Sequence, residues 1–311
     1  MSGQSFRPQG ETRMSDLATL GITVRPRGPV EQRVPCPRCG DGHGAHDDAL
    51  GVNVDTGVYH CFRCGWKGCA STNTASSVSP PVRIDDPAIA ERKRERLRTT
   101  WRETVPLYHP KARPHRQYLE VRGLVQTLSA PPGVLRAHPA LPYYDTATQR
   151  ELGKHPALVA LFADSNGEGV TLHATYLRAD GRGKAPVSVP KKILGVPVRG
   201  ATKGGAIRLY KPEDGRLGVA EGIESALSLR LIRKIPVWSS YCADNLTRIC
   251  LPRLRELEIG VDVDETGLGE AKARALAARV LREQPALRVL LVMPEGRGPR
   301  DLNDELRARA G

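Results

Sequence analysis

The stretch LGVAEGIE at residues 217–224 and the stretch LEIGVDVD at residues 257–264 decide the fold of this chain. In each stretch a short apolar run ends at acidic side chains, and a pattern typical of a helix follows. A short apolar run bounded by polar residues predicts a buried strand, and repeated strand–helix alternation predicts a parallel α/β sheet. We therefore expect strands at 217–220, 257–261 and 287–293, with helices between them.

Acidic residues follow three of these predicted strands: Glu221, then Asp262 and Asp264, then Asp301. The ligand crevice of an open α/β sheet lies beyond the carboxyl ends of its strands, so we expect these side chains to converge there. Asp262 and Asp264 are two residues apart and share a face if the backbone is extended. Clustered carboxylates repel one another unless a cation neutralises them, and hard oxygen ligands suit Mg²⁺ or Mn²⁺.

Glu224, in the first acidic motif, and Asp304, in the third, are further candidate ligands. The alternative for any single acid in the group is a structural one. Acidic residues at strand ends also cap the helices that follow, or remain solvated.

This arrangement resembles the Toprim domain of primases, topoisomerases, recombination mediators and some nucleases. The resemblance covers about residues 215–311 and depends on Glu221-Gly222 and Asp262-Val263-Asp264 at the ends of two strands. It implies acid/base chemistry for Glu221 and metal binding for Asp262 and Asp264. The closing motif, Asp301-Leu302-Asn303-Asp304, is especially similar to that of the primase and primase-helicase branch.

Two CxxC motifs near the N-terminus predict a zinc site. The thiols come in pairs, Cys36 with Cys39 and Cys61 with Cys64, and a glycine follows each pair. Two such turns supply the four sulfur ligands of a tetrahedral structural zinc, which leaves no open coordination position. Two disulfides are the alternative, and a cytoplasmic setting disfavours them. Other nearby side chains that could replace one ligand are His43, His46, His60 and Cys69.

The cysteine region also predicts a nucleic-acid contact. Phe62, Arg63, Trp66 and Lys67 alternate rings with cations, which suits stacking on unpaired bases and pairing with phosphates. The alternative is that Phe62 and Trp66 pack the small core of the ribbon. The segment CPRCG…YHCFRCGWKG resembles the zinc-binding domain of bacterial and phage primases, which implies a role in choosing the template start site.

The middle of the chain is basic. The formal net charge is +13 and the pI about 9.7, and residues 178–216 hold ten Lys or Arg against three Asp or Glu. Such a surplus favours a polyanionic partner. This region resembles the module before Toprim in phage and mobile-element primases, so we assign phosphate contacts to Lys191, Lys192, Lys203 and Arg208. A solvated basic face is the alternative.

The expected fold class is α/β, with a Rossmann-like Toprim sheet, a mixed α+β middle module and a small N-terminal zinc ribbon. We expect a flexible basic arm at 1–32, the ribbon at 33–70, a linker at 71–86, the middle module at 87–214 and Toprim at 215–311. No apolar run reaches the length of about 20 residues that a membrane helix needs, and no signal peptide is evident, which predicts a cytoplasmic protein.

The resemblances to the primase zinc-binding domain and to Toprim, together with the basic charge, imply a DNA primase that uses ribonucleoside triphosphates, Zn²⁺, and Mg²⁺ or Mn²⁺ on single-stranded DNA. The phosphate-binding motif of ATP-driven helicases does not occur in the sequence, so a separate helicase is the expected partner. A Toprim nuclease and a non-catalytic DNA-binding accessory protein are the alternative functions.

Overall fold

A computed structural model describes residues 16–38, 49–61, 66–70, 87–145, 150–198, 200–296 and 298–310. The chain forms two compact units, residues 1–82 and residues 83–311. In the part of the chain that the structure describes, no helix is long and apolar enough to cross a membrane.

The first unit is built on an antiparallel sheet whose four strands follow chain order: β1 (Glu31–Val34), β2 (Leu50–Asn53), β3 (Val58–Cys61) and β4 (Lys67–Cys69). Alternate residues of β1, β2 and β3 are buried, as expected for a sheet with one face on a core. Strands β2 and β3 pair as an antiparallel hairpin, with Leu50 opposite Cys61.

The second unit begins with two helices and an antiparallel sheet. The helices are α1 (Pro87–Arg102) and α2 (Arg113–Val121), with short 3₁₀ turns at Pro110–Ala112 and Val125–Ser129. The four strands again follow chain order: β5 (Leu135–Tyr144), β6 (Glu151–Ala163), β7 (Gly169–Tyr176) and β8 (Lys191–Ile193). This combination confirms the mixed α+β character predicted for the middle of the chain.

A parallel sheet follows, and it confirms the α/β prediction. Its strands are β9 (Arg216–Ala220), β10 (Val237–Ser239), β11 (Glu256–Gly260) and β12 (Arg288–Val292), in the order β10-β9-β11-β12. Helices α3 (Ile223–Arg233), α4 (Ala243–Leu246), α5 (Leu268–Glu283) and α6 (Leu302–Ala310) alternate with the strands. All three strand pairs are parallel, and β9 and β11 occupy the centre.

One hydrophobic core joins the two sheets of the second unit. It contains Leu119 of α2 and Leu158 of β6 together with Ala220 of β9, Leu227 of α3 and Leu302 of α6. Because the same core supports both sheets, residues of the antiparallel sheet are held at fixed positions next to the carboxyl ends of β9 and β11.

The start of α5 lies unusually close to the end of β11. A Cβ atom on Gly269 would be 2.0 Å from the backbone oxygen of Asp262, a distance that no side chain tolerates. Glycine at this position therefore allows the helix N-terminus to approach the backbone that carries Asp262.

We expect Gly269→Ala to lower the free energy of unfolding by about 1–3 kcal/mol, because the new methyl group must push α5 away from Asp262. The matched control is Gly133→Ala, since a Cβ there meets no atom within 4 Å. Urea unfolding monitored by circular dichroism measures both. Equal stability of the two variants would contradict the close approach.

Candidate functional site: a carboxylate cluster at the edge of the parallel sheet

The two central strands bring Glu221 and Asp262 to the same edge of the sheet. Strand β9 pairs with β11 in parallel, with Val219 opposite Ile259. Glu221 follows the last residue of β9, and Asp262 follows β11 after one intervening residue. Since parallel strands end at the same edge, both side chains occupy the position where open α/β sheets bind ligands.

A short bridge adds Asp301 to this edge. The backbone of Val263 exchanges two hydrogen bonds of 2.8 Å with Arg300, the residue before Asp301. The bridge holds the loop after β12 against the residue that follows Asp262. The charge of Asp301 consequently acts on Asp262 and contributes to the rise in its pKa.

Asp262 is the most perturbed acid of this edge. Burial, followed by the charges of Glu221 and Asp301, raises the pKa of Asp262 to about 7. Its Oδ1 atom is buried and accepts no hydrogen bond within the described structure. An unsatisfied buried carboxylate oxygen is costly, and it fits a position where a cation binds.

Glu221 is held by its backbone and is also partly buried. The hydroxyl of Ser239 donates a hydrogen bond of 2.7 Å to the carbonyl oxygen of Glu221. Burial raises the pKa of the Glu221 carboxyl, and the charge of Lys191 acts in the opposite direction. The negative charge of Asp264 also raises the pKa of Glu221, because the two carboxylates repel one another.

The Asp264 carboxylate is directed towards the start of helix α5. Asp264 accepts amide hydrogen bonds from Thr266 at 2.8 Å and from Gly269 at 2.8 Å, at the start of α5. Burial opposes the change, but a hydrogen bond from the Thr266 hydroxyl, together with these amide bonds, holds the pKa of Asp264 below its usual value. For Asp264, the structure therefore shows the capping contacts that were the alternative to metal binding.

Asp301 and Asp304 form a capping box at the start of α6. Asp301 accepts amide hydrogen bonds from Asn303 at 2.8 Å and from Asp304 at 2.9 Å, and Asp304 accepts one from the Asp301 amide at 3.2 Å. Such reciprocal bonds satisfy the free N–H groups of a helix start. Asp304, proposed as a further metal ligand, thus has a structural contact of its own.

Glu224 accepts hydrogen bonds from helix α2 and from strand β8 of the antiparallel sheet. The Tyr118 hydroxyl donates to Glu224 at 2.7 Å and the Lys191 ammonium at 2.9 Å. Burial opposes ionisation, but the charges of Lys191 and Lys184 hold the pKa of Glu224 well below its usual range. Both carboxylate oxygens of this candidate ligand are therefore already occupied.

The side chains at this edge meet some of the requirements of a site for a hard divalent cation. Within the described ranges, no three His, Cys, Asp or Glu side chains are arranged as a complete metal site. The orphan oxygen of Asp262 and its repulsion by Glu221 and Asp301 are nevertheless the features that a cation would relieve. Oxygen donors at such a position suit Mg²⁺ or Mn²⁺.

Comparison with known families agrees with this geometry. Residues 216–311 match the family model described as "Toprim domain". The C-terminal region is a Toprim domain. Residues 91–208 match a second model, described as a domain of unknown function, DUF7146. The Toprim resemblance read from Glu221-Gly222 and Asp262-Val263-Asp264 is confirmed, and the antiparallel sheet in front of the Toprim domain lies within the second match.

Three solved primase structures are among those similar to this chain, and no curated protein matches it. The primase fragment of the bacteriophage T7 primase-helicase protein is 16% identical, over 90% of this chain and 96% of that chain, with a TM-score of 0.37. The Aquifex aeolicus primase, with its zinc-binding and RNA polymerase domains, is 12% identical over 97% and 83%, with a TM-score of 0.40. The E. coli primase catalytic core is 17% identical over 70% and 75%, with a TM-score of 0.45.

The structure describes two of the four predicted zinc ligands. Cys36 and Cys61 are both buried. Val34 lies opposite Leu50 and Leu50 opposite Cys61, so both cysteines are at the same end of the ribbon sheet. Cysteines at one end of a small sheet are suitable zinc donors. Outside the described residues lie Cys39, Cys64, Phe62, Arg63, His43 and His46.

Among the other ribbon residues, Trp66 contacts Tyr59, with ring centroids 4.6 Å apart, and the Arg38 guanidinium lies over its ring. Trp66 therefore packs against the ribbon core, as the alternative interpretation expected. Lys67 is exposed. The Cys69 thiol donates to the Thr56 carbonyl at 3.2 Å.

The four predicted phosphate contacts lie in different environments. Lys191 faces Glu224, beside the Toprim domain carboxylates. Lys192 lies 3.7 Å from the Tyr143 ring centroid. Arg208 donates to two backbone carbonyls at 3.0 Å and lies over the Trp238 ring. Lys203 is exposed to solvent. The structure thus brings only Lys191 to the carboxylate cluster.

Sequence reasoning missed residues that hold this site together. Tyr118 and Ser239 position Glu224 and Glu221. Buried Asn303 donates to the Arg122 carbonyl at 2.7 Å, which fixes α6 against the region after α2. No local sequence pattern predicts these contacts, because the two residues of each contact are far apart in the chain.

The raised pKa of Asp262 predicts a pH dependence of stability in metal-free protein. Between its ordinary value of 3.8 and about 7, the folded chain retains a proton that the unfolded chain has released. The free energy of unfolding therefore falls as pH rises through this window. Relative to Asp262→Asn, the parent protein should lose on the order of 2 kcal/mol between pH 5 and pH 7.5.

The measurement is urea unfolding of both proteins in EDTA at several pH values. The difference between the two curves isolates the contribution of Asp262 from that of every other titrating group. Curves that run parallel across this range would contradict the burial and repulsion assigned to Asp262.

Proposed function

We propose that this chain is a DNA primase that makes short RNA primers on single-stranded DNA by Mg²⁺-dependent nucleotidyl transfer. The observation that carries the proposal is the edge of the Toprim domain, where Glu221 and Asp301 act on Asp262 and the Oδ1 atom of Asp262 has no hydrogen-bond partner among the described residues. The CxxC pairs in front of the domain favour a primase over other Toprim enzymes.

Each carboxylate has a proposed role. Asp262 supplies the principal metal ligand, because its buried Oδ1 atom accepts no hydrogen bond from the residues that the structure describes. Asp301 accepts both of its helix amides through one oxygen, so its other oxygen can also coordinate a cation. Asp264 accepts four hydrogen bonds, from Thr266, Leu268 and Gly269, so a cation bound there would replace some of them. Glu221, whose pKa is raised by burial, is suited to proton transfer. When bound, Mg²⁺ or Mn²⁺ would hold the phosphates and stabilise the charge that develops during transfer.

The proposed partners follow from charge and composition. A net charge of +13 suits a single-stranded DNA template and ribonucleoside triphosphates. A zinc held by Cys36, Cys39, Cys61 and Cys64 would fix the ribbon that contacts the template, and a separate helicase would open the duplex.

Asp262→Asn should reduce primer synthesis by about a thousandfold or more, because the ligand is lost while the fold remains. The assay uses labelled ribonucleotides, single-stranded DNA and Mg²⁺, with template binding measured in parallel. Glu283→Gln, an exposed acid on α5 that pairs with Arg279, is the control and should keep full activity.

The same assay separates the alternatives. Fragments of DNA without nucleotide incorporation would indicate a Toprim nuclease, and binding without either product would indicate an accessory protein. Unchanged incorporation by Asp262→Asn would exclude the assignment of the catalytic site.

The ribbon gives an independent prediction. We expect about one zinc per chain by elemental analysis, lost in Cys36→Ser and in Cys61→Ser because each removes one of four thiolates. Cys69→Ser should retain the zinc, since that thiol donates to the Thr56 carbonyl. Zinc retained in all variants would contradict the proposed ligands.

A further inference from the structure

A lysine lies beside the Toprim domain carboxylates. The Lys191 ammonium is 2.9 Å from a Glu224 oxygen and 3.7 Å from the position that a Cβ on Gly222 would take. Gly222 is the residue after Glu221. Burial raises the pKa of both Glu221 and Asp262, and the positive charge of Lys191 opposes each rise. One ammonium group thus neutralises part of the negative charge that a divalent cation would otherwise meet.

The position of this lysine is fixed from three elements. Lys191 opens the edge strand β8 and pairs with Thr175 of β7. Glu224, near the start of α3, is only 5% exposed and accepts the lysine. Tyr118 of α2 donates to the other oxygen of Glu224, so that carboxylate cannot rotate freely away. A charge held this way is present whether or not a metal is bound.

The neighbouring groups do not replace its charge. His173 lies two residues before Thr175, which pairs with Lys191, and it is buried; burial together with the charge of Lys191 lowers its pKa to about 4. It is therefore neutral at pH 7. Lys184 also carries a positive charge that acts on Glu224, and burial followed by the charge of Lys191 lowers its own pKa. The charge of Lys191 acts on Glu224, Glu221 and Asp262.

We propose that Lys191, anchored by Glu224 and Tyr118, is a resident counter-ion that sets the divalent-cation affinity of the Toprim carboxylates. Glu224 is then a positioning residue and not a metal ligand. The inference rests on the proposed metal-dependent function of this site and deepens it. Its physical basis is that a fixed positive charge close to the carboxylates of a cation site opposes cation binding.

Mn²⁺ binding to the full chain, without nucleotide or DNA, tests the proposal by isothermal titration calorimetry and by the loss of the free-Mn²⁺ electron paramagnetic resonance signal. Lys191→Met should tighten Mn²⁺ binding by about tenfold, because the opposing charge is removed. Lys191→Arg, which keeps the charge, should bind like the parent. Lys154→Met, at an exposed position of β6, controls for the change in net charge.

The double-variant cycle separates the two roles of Glu224. Glu224→Gln alone should weaken Mn²⁺ binding several-fold, because Lys191 loses its partner and a negative charge disappears. The double variant Lys191→Met/Glu224→Gln removes a neutral pair and should return to within about twofold of the parent. If Glu224 coordinates the metal, Glu224→Gln must instead weaken binding strongly in both backgrounds, which would overturn the proposal.

The remaining outcomes are also decisive. Unchanged or weaker Mn²⁺ binding by folded Lys191→Met overturns the counter-ion role, while primer synthesis by the parent would leave the proposed function standing. Should Lys191→Met fail to fold, Lys191→Gln gives the same charge change. Absence of Mn²⁺ binding by the parent and by every variant overturns both the inference and the metal dependence of the proposed function.

Discussion

Repulsion among carboxylates at one edge of the parallel sheet is the constraint on which the Toprim domain depends. Strands β9 and β11 are neighbours, so their ends necessarily bring Glu221 and Asp262 together. The protein meets the repulsion in three ways. Asp264 and Asp301 accept amide N–H groups of two helices, Lys191 supplies a positive charge, and Asp262 takes up a proton more readily. A divalent cation at this edge would reduce the repulsion further than any of these three.

The carboxylate edge is not a property of the Toprim domain alone. Lys191 belongs to β8 of the antiparallel sheet, and Tyr118 belongs to the helix that packs beneath that sheet. Both reach Glu224 because one hydrophobic core supports the two sheets. The match to DUF7146 ends at residue 208 and the Toprim match begins at 216, yet the charge balance at Glu224 requires residues from both.

What the sequence could predict depended on the distance between partners. Glu221 and Asp262 were predictable because an apolar run ending in an acid is a local pattern, and parallel pairing then fixes their common edge. The contact between Glu224 and Tyr118 was not predictable, because the two residues are 106 positions apart in the chain. The same holds for Arg208, whose contacts with backbone carbonyls and Trp238 are visible only in the folded chain. For Trp66, base stacking and packing in the ribbon core fit the sequence equally well. The contact with the Tyr59 ring favours packing.

Capping and metal binding are compatible roles for the same carboxylate. A helix start presents partly positive N–H groups, which favour the ionised form of Asp264 and Asp301. Ionised oxygens are also the ones that a divalent cation needs, and Asp301 uses one of its two oxygens for both helix amides. Cation binding at Asp262 would therefore act on the first turns of α5 and α6 through Asp264 and Asp301. The close approach at Gly269 makes the first of these connections rigid, because α5 cannot shift without moving the backbone of Asp262.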